Sequence, residues 1–164
     1  MAKTKTPKRK ILFVCTGNTC RSPMAQFNMR DKLRKLRKLS KYEVNSAGLD
    51  VHDEKMTDEA KKVLSENLKI KLTEFTPTQL IPEAIDNADL VVCMTDRHRM
   101  AIVTIMEHTA DKVFSARQFT GEEIMDPFGM GLMAYEDTAS QLGRLIEAIL
   151  AKELKTTAKP SKNA

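Results

Sequence analysis

Apolar and polar positions along this chain fall into blocks of alternating period. Ile11, Leu12, Phe13 and Val14 form a short unbroken apolar run, as a strand buried on both faces requires. Residues 23–39 repeat apolar positions at helical spacing and predict an amphipathic helix behind Pro23. Residues 42–46 predict a second strand, and residues 57–68 a helix capped by Thr57. A further helix is expected over 78–87 despite Pro82, and a second core strand over 90–94. A helix over 97–106, a short strand over 112–115 and a closing helix over 135–154 complete the pattern. Strand and helix in alternation predict an α/β fold: one domain with a small parallel sheet of about four strands and helices on both faces. Ligands of such sheets bind beyond the carboxyl ends of the strands. Gly129 and Gly131 predict a mobile loop, and no internal repeat is present.

Composition narrows the class. At 164 residues and 41% hydrophobic, the chain suffices for one domain with its own core. No apolar run is long enough for a membrane span, and the basic start is followed by only a short strand, unlike a secretory signal. Three cysteines fit a reducing cytoplasm better than a secreted disulfide framework.

The net charge of +5 is unevenly spread. Residues 1–10 carry five Lys or Arg and residues 155–164 three, neither with an acid; the body over 11–154 has 19 bases against 22 acids. A basic arm, a catalytic body and a basic disordered tail are the expected divisions. Basic ends on an acidic body are solubilising, so neither nucleic acid nor membrane is expected as a partner. Seven bases over residues 30–41, with Leu33, Leu36 and Leu39 at helical spacing, read as a solvated helix face.

The chemistry sits after the first strand, where residues 15–23 read Cys-Thr-Gly-Asn-Thr-Cys-Arg-Ser-Pro. A loop between strand end and helix start turns backbone N–H groups inward, and these donors with the helix dipole attract an anion. Gly17 and Asn18 most easily take a positive φ, and Arg21 or Ser22 is expected at the helix cap. Thr16, Gly17, Asn18, Thr19, Cys20, Arg21 and Ser22 would thus wrap a phosphate, with the Arg21 fork gripping two oxygens and Cys15 at the floor. A thiolate there is a nucleophile toward phosphorus, and charge on the equatorial oxygens would meet the N–H donors and Arg21. Three plainer readings compete: a zinc half-site from Cys15 and Cys20, a strand-to-helix turn with an inert cysteine, and anion binding without turnover. His52, His98, His108 and Cys93 do not stand at ligand spacing, so no metal is expected.

The loop resembles the signature of the low-molecular-weight protein tyrosine phosphatase family, and more closely its bacterial protein-arginine phosphatase branch. The resemblance runs from Lys10 to about Leu154, through Ser46-Ala47-Gly48, residues 88–95 and Asp126-Pro127-Phe128-Gly129. It implies a cysteinyl-phosphate intermediate, phosphorylated proteins as partners, a monomer, and no cofactor. It makes Asp126 the general acid that protonates the leaving group and then activates water. Thr19 stands where tyrosine-directed members carry a bulky apolar residue, which favours phosphoarginine over phosphotyrosine. Phe128 would stack on substrate. Ser46 and Asn18 would pair to hold the loop.

Departures from the pattern are visible. The segment Leu49-Asp50-Val51-His52 lacks an aromatic wall, and no histidine between Glu66 and Pro82 is placed to brace the loop. Cys20 would trap an oxidised Cys15 as a disulfide or simply pack beneath the loop, whereas Cys93 is expected to be core. A tyrosine phosphatase, an arsenate reductase, a non-catalytic phospho-binding module and a surface or nucleic-acid binder driven by the basic segments are the alternatives.

Overall fold

The computed structural model describes residues 5–157. Four strands, β1 (Arg9–Cys15), β2 (Tyr42–Gly48), β3 (Leu90–Cys93) and β4 (Val113–Ser115), form a parallel sheet in the order β2-β1-β3-β4. The helices are α1 (Arg21–Lys35), α2 (Asp58–Lys62), α3 (Pro82–Asn87), α4 (Asp96–Ile105), α5 (Arg117–Thr120) and α6 (Leu132–Thr157), with a π-turn over Val63–Asn67 extending α2. The expected α/β architecture is borne out.

Its physical basis is visible in β1. Ile11, Phe13 and Cys15 face one apolar cluster with α1 and α6, while Leu12 and Val14 face a second with Ile85 of α3 and Ile102 of α4. Burial on both faces is what the unbroken apolar run demands. From β1 the chain crosses first to β2 on one side and later to β3 on the other. The carboxyl end of β1 is therefore the switch point where the crossovers diverge and a crevice opens. Cys15 is its last residue.

Several elements depart from expectation. Helix α1 ends at Lys35 rather than Leu39, because Arg37 turns left-handed (φ 57°). Lys38 N–H then bonds Leu33 O at 2.8 Å and Arg37 N–H bonds Arg34 O at 3.0 Å. This is a Schellman closure made without glycine. Residues 78–81 are extended, not helical: Pro82 forces Ile81 into the β region and takes the first helical position, and Gln79 bridges Gly48. Helix α5 was not anticipated. Helix α6 begins at Leu132 and continues through Thr157, so residues 155–157 of the expected tail are helical, and the rest of that tail lies outside the described residues. At the other end Arg9 and Lys10 belong to β1, with Arg9 donating to Glu153 at 2.8 Å, while residues 1–4 lie outside the described part.

The basic face of α1 is largely satisfied within the protein. Arg30 donates to Val44 O at 2.8 Å, Arg34 and Lys35 hold Asp31 at 2.7 and 2.8 Å, and Lys32 approaches Glu147. Among the described residues no helix is long and apolar enough to cross a membrane.

Gly48 closes β2 against the Cys15 loop with no room to spare. A Cβ there would lie 2.6 Å from Thr16 O and 2.9 Å from Asn18 N, both backbone atoms. Gly48→Ala is expected to destabilise the protein by about 1–3 kcal/mol through overpacking, read as a lower urea midpoint. Gly143→Ala on α6, where a Cβ meets nothing within 4 Å, should be neutral or stabilising under the same assay.

Candidate active site

The loop from Cys15 to Arg21 joins the end of β1 to the start of α1. Its carbonyls are tied outward: Cys15 O accepts from Leu49 N–H at 3.0 Å, Thr16 O from Asp50 N–H at 2.9 Å and Thr19 O from Thr57 N–H at 3.1 Å. Because N–H and C=O of a peptide point in opposite directions, this anchoring turns the loop's donors toward its centre.

Asn18 alone takes the left-handed conformation (φ 55°); Gly17 does not, and a Cβ on it would meet only Thr19 Oγ1 at 3.8 Å. The Asn18 side chain is fully buried. It donates from Nδ2 to Ser22 Oγ (2.8 Å) and Ser46 Oγ (3.0 Å), and its Oδ1 accepts from Thr78 N–H (2.9 Å). Ser46 in turn donates to Gln26 Oε1 at 2.6 Å. The segment lacking a bracing histidine thus braces the loop through the Thr78 backbone.

Helix α1 starts two residues earlier than expected, with Cys20 at its cap and no side-chain cap bond. Ser22 is otherwise engaged. Its Oγ accepts from Asn18 and lies 2.8 Å from Cys15 Sγ, where its proton can be donated to a thiolate. The helix's first N–H groups are left for an anion. Arg21, also buried, donates from Nη1 to Ile124 O at 3.2 Å, and its Nη2 stands 3.7 Å from Asp126 Oδ2. The Asp126 side chain is 56% exposed and accepts from Phe128 N–H at 3.2 Å.

These groups enclose a cavity of about 220 Å³. Cys15, Thr16, Gly17, Thr19, Cys20 and Arg21 line it from the loop and the start of α1, together with Asp50, His52 and Asp53 from the segment after β2 and Asp126 and Phe128 from the segment before α6. His52 pairs with Asp50 at 2.9 Å. Met125, Phe128, Met130 and Met133, close to Asp126 in sequence, are exposed, and of these Phe128 lines the cavity. A larger cavity of about 550 Å³ along β2, reached by Gln26, Arg30, Glu43 and Phe75, is lined by neither Cys15, Asp126 nor the loop residues 16–21. The structure therefore brings together the loop residues, Asp126 and Phe128 that the sequence singled out.

Three contacts were missed. His98, in the first turn of α4, places Nε2 2.8 Å from Thr16 Oγ1, and Thr95 caps the same turn by accepting His98 N–H at 3.2 Å. Burial, then the Arg21 charge, pushes its imidazole down to about 4 against the pull of Glu123. Buried Tyr135 meets Cys20 Sγ at 3.2 Å, and burial together with that contact raises its phenol. Thr57, read as a cap, also lies 3.6 Å from Cys20 Sγ. A Thr-x-x-His pair after a core strand was the one available signal for His98; nothing local marks Tyr135.

Cys15, Cys20 and Cys93 are all free thiols. Cys93 faces the other apolar cluster, where burial drives its thiol far up, as a core residue and not a relay to Cys15. Among the described residues no group of three or more His, Cys, Asp or Glu is placed to hold a metal ion.

The family of low molecular weight phosphotyrosine protein phosphatases matches residues 10–160. The protein-arginine-phosphatase of Geobacillus stearothermophilus is 39% identical over 151 residues, spanning 90% of this chain and 97% of that one. The low molecular weight protein-tyrosine-phosphatase PtpB of Staphylococcus haemolyticus is 35% identical over 142 residues, spanning 84% and 94%. The solved structure of the YwlE arginine phosphatase from Geobacillus stearothermophilus superposes with a TM-score of 0.79 at 38% identity, covering 91% of this chain and 94% of that one.

His98 makes stability depend on pH. It is neutral in the fold and takes a proton near pH 6.5 when unfolded, so its contribution is complete above about pH 6.5 and is lost as pH falls toward 4. His98→Gln lacks this titration. The difference in unfolding free energy between parent and variant should change by up to about 3 kcal/mol in the parent's disfavour from pH 7 to pH 4, measured by urea unfolding at each pH. A constant difference would show that His98 is not held neutral.

Proposed function

We propose that this protein, which belongs to the low molecular weight phosphotyrosine protein phosphatase family, hydrolyses phosphoarginine in proteins through a phosphorylated Cys15. The observation that carries the substrate assignment is the make-up of the cavity. Loop N–H donors and Arg21 suit the phosphoryl group, while Asp50, Asp53 and Asp126 line the same cavity and suit a cationic guanidinium. Thr19 adds a hydroxyl to that lining in place of an apolar contact. The relatives named for phosphoarginine support the same reading.

The chemistry runs in two displacements. The Cys15 thiolate attacks phosphorus, an S–P bond forms, and the P–N bond breaks as Asp126 gives its proton to the departing guanidino nitrogen. Arg21 and the loop N–H groups hold the equatorial oxygens through the charge-spread transition state. Asp126, now a carboxylate, takes a proton from water; the water oxygen attacks phosphorus and the S–P bond breaks. Inorganic phosphate leaves. The Ser22 hydroxyl, 2.8 Å from Sγ, stabilises the thiolate both as nucleophile and as leaving group.

Exposed Met125, Phe128, Met130 and Met133, close to Asp126 in sequence, suit a polypeptide substrate, since methionine surfaces adapt to varied apolar side chains. The protein is read as a cytoplasmic monomer, because a reducing compartment keeps Cys15 a thiol. Peroxide would convert Cys15 to a sulfenic acid, from which Cys20 would displace water to form a disulfide that external thiol reverses. The second reading, phosphotyrosine, is favoured by Phe128, 62% exposed at the cavity mouth and free to stack on a ring.

Side-by-side turnover of phosphoarginine and phosphotyrosine peptides by the parent and Thr19→Ile separates the two. The parent should prefer phosphoarginine, and Thr19→Ile should shift preference toward phosphotyrosine by about tenfold or more. A parent that strongly prefers phosphotyrosine, unaltered by the change, defeats the assignment. Asp126→Asn should cost about 10²-fold or more with a poor leaving group and much less with a good one; equal losses on both would remove Asp126 as the acid.

A further inference from the structure

We propose that His98 is a positioning residue whose Nε2–H donates to Thr16 Oγ1, committing the Thr16 hydroxyl proton to a phosphoryl oxygen and making Thr16 a side-chain donor of the phosphate site. The inference rests on the phosphatase reading and extends it to two residues outside the reacting set.

The direction of the 2.8 Å contact follows from the far side of the ring. His98 is 7% exposed, and its Nδ1 is buried with no hydrogen-bond partner. A proton on Nδ1 would be an orphaned buried donor, costing about 1–3 kcal/mol, whereas a bare lone pair there is the better tolerated deficit. The neutral ring therefore carries its proton on Nε2, which faces Thr16. A doubly protonated ring would restore the orphaned donor and add a buried charge. Arg21 on α1 and Arg97 on α4 oppose that charge; Glu123 and Asp126 favour it, but burial outweighs them.

With Nε2–H donating, Thr16 Oγ1 is an acceptor toward His98 and its own proton must point elsewhere. Thr16 is exposed, immediately follows Cys15 and lines the cavity, so an anion seated there is within the hydroxyl's field. Thr19, also in the loop, makes no hydrogen bond with His98, its Oγ1 lying 3.6 Å from Cys20 Sγ. His98 can serve in this way because Thr95 caps its turn and the end of β3 lies against β1, which fixes the ring relative to the loop.

Orthovanadate, a mimic of the transferring phosphoryl group, is the probe, with kcat/KM on a small aryl phosphate measured alongside. Thr16→Val and His98→Leu should each weaken vanadate inhibition and lower kcat/KM by about tenfold, the worth of one hydrogen bond to a charged group. Because they break one chain of contacts, the double variant should be no worse than either single one. His98→Gln, which still offers an N–H near the Nε2 position, should recover most of the loss. Parent-like vanadate inhibition in Thr16→Val, or losses that multiply in the double variant, overturns the proposal. If His98→Leu does not fold, Thr16→Val and His98→Gln decide it on the same readout: unchanged inhibition in the first, or a full loss in a folded second, is fatal. Failure of the underlying reading looks different, since the parent itself would then neither turn over phosphate esters nor be inhibited by vanadate.

Discussion

A single buried carboxamide holds the catalytic loop in shape. Asn18 sits left-handed at the turn of the loop, a conformation most side chains disfavour, and its amide over-determines it by donating to Ser22 and Ser46 and accepting from Thr78 N–H. Each partner belongs to a different piece of the fold: α1, β2 and the extended segment before α3. The sheet, the first helix and the long crossover thus meet at one side chain, and the outward-tied carbonyls that aim the loop's donors depend on that meeting. Gly48, with no Cβ to obstruct the approach, lets β2 and the loop close upon each other.

The electrostatics of the cavity combine opposite signs. Backbone N–H groups, the α1 dipole and the buried Arg21 guanidinium favour an oxyanion, while the carboxylates of Asp50, Asp53 and Asp126 line the same cavity. A zwitterionic group such as phosphoarginine matches both signs, whereas an aryl phosphate matches only the first and leans on Phe128. Arg21 joins the two sets, since its guanidinium stands 3.7 Å from Asp126 and donates to Ile124 O. The bracing groups around the loop are mostly neutral, including His98, so the oxyanion is held with little net charge to desolvate.

The parts legible in the sequence were those written in local pattern. An unbroken apolar run before Cys15 and the Cys-to-Arg spacing announced β1 and the loop that follows it, and alternation announced the parallel sheet. Local signals failed where the backbone chose an uncommon solution: the Schellman turn at Arg37 carries no glycine, and residues 78–81 have helical-looking composition but are extended by Pro82 and by pairing with Gly48. They failed again where an interaction joins distant residues. His98 and Thr16 are 82 positions apart and Cys20 and Tyr135 are 115 apart, so neither pair leaves a periodic trace. The basic cluster over 30–41 was expected as one solvated helix face, but α1 ends at Lys35, and the pairing of Arg30 with Val44 O, of Arg34 and Lys35 with Asp31 and of Lys32 with Glu147 is a property of the folded chain alone.

The separation between Cys20 and Tyr135, with Ile124 bonded to Arg21 across 103 positions, has a consequence for biosynthesis. Cys15 emerges from the ribosome early, but Ile124 and Tyr135, which contact Arg21 and Cys20, are made about a hundred residues later. For most of translation the loop around Cys15 is therefore present without these partners, and it is completed only when the closing helix docks.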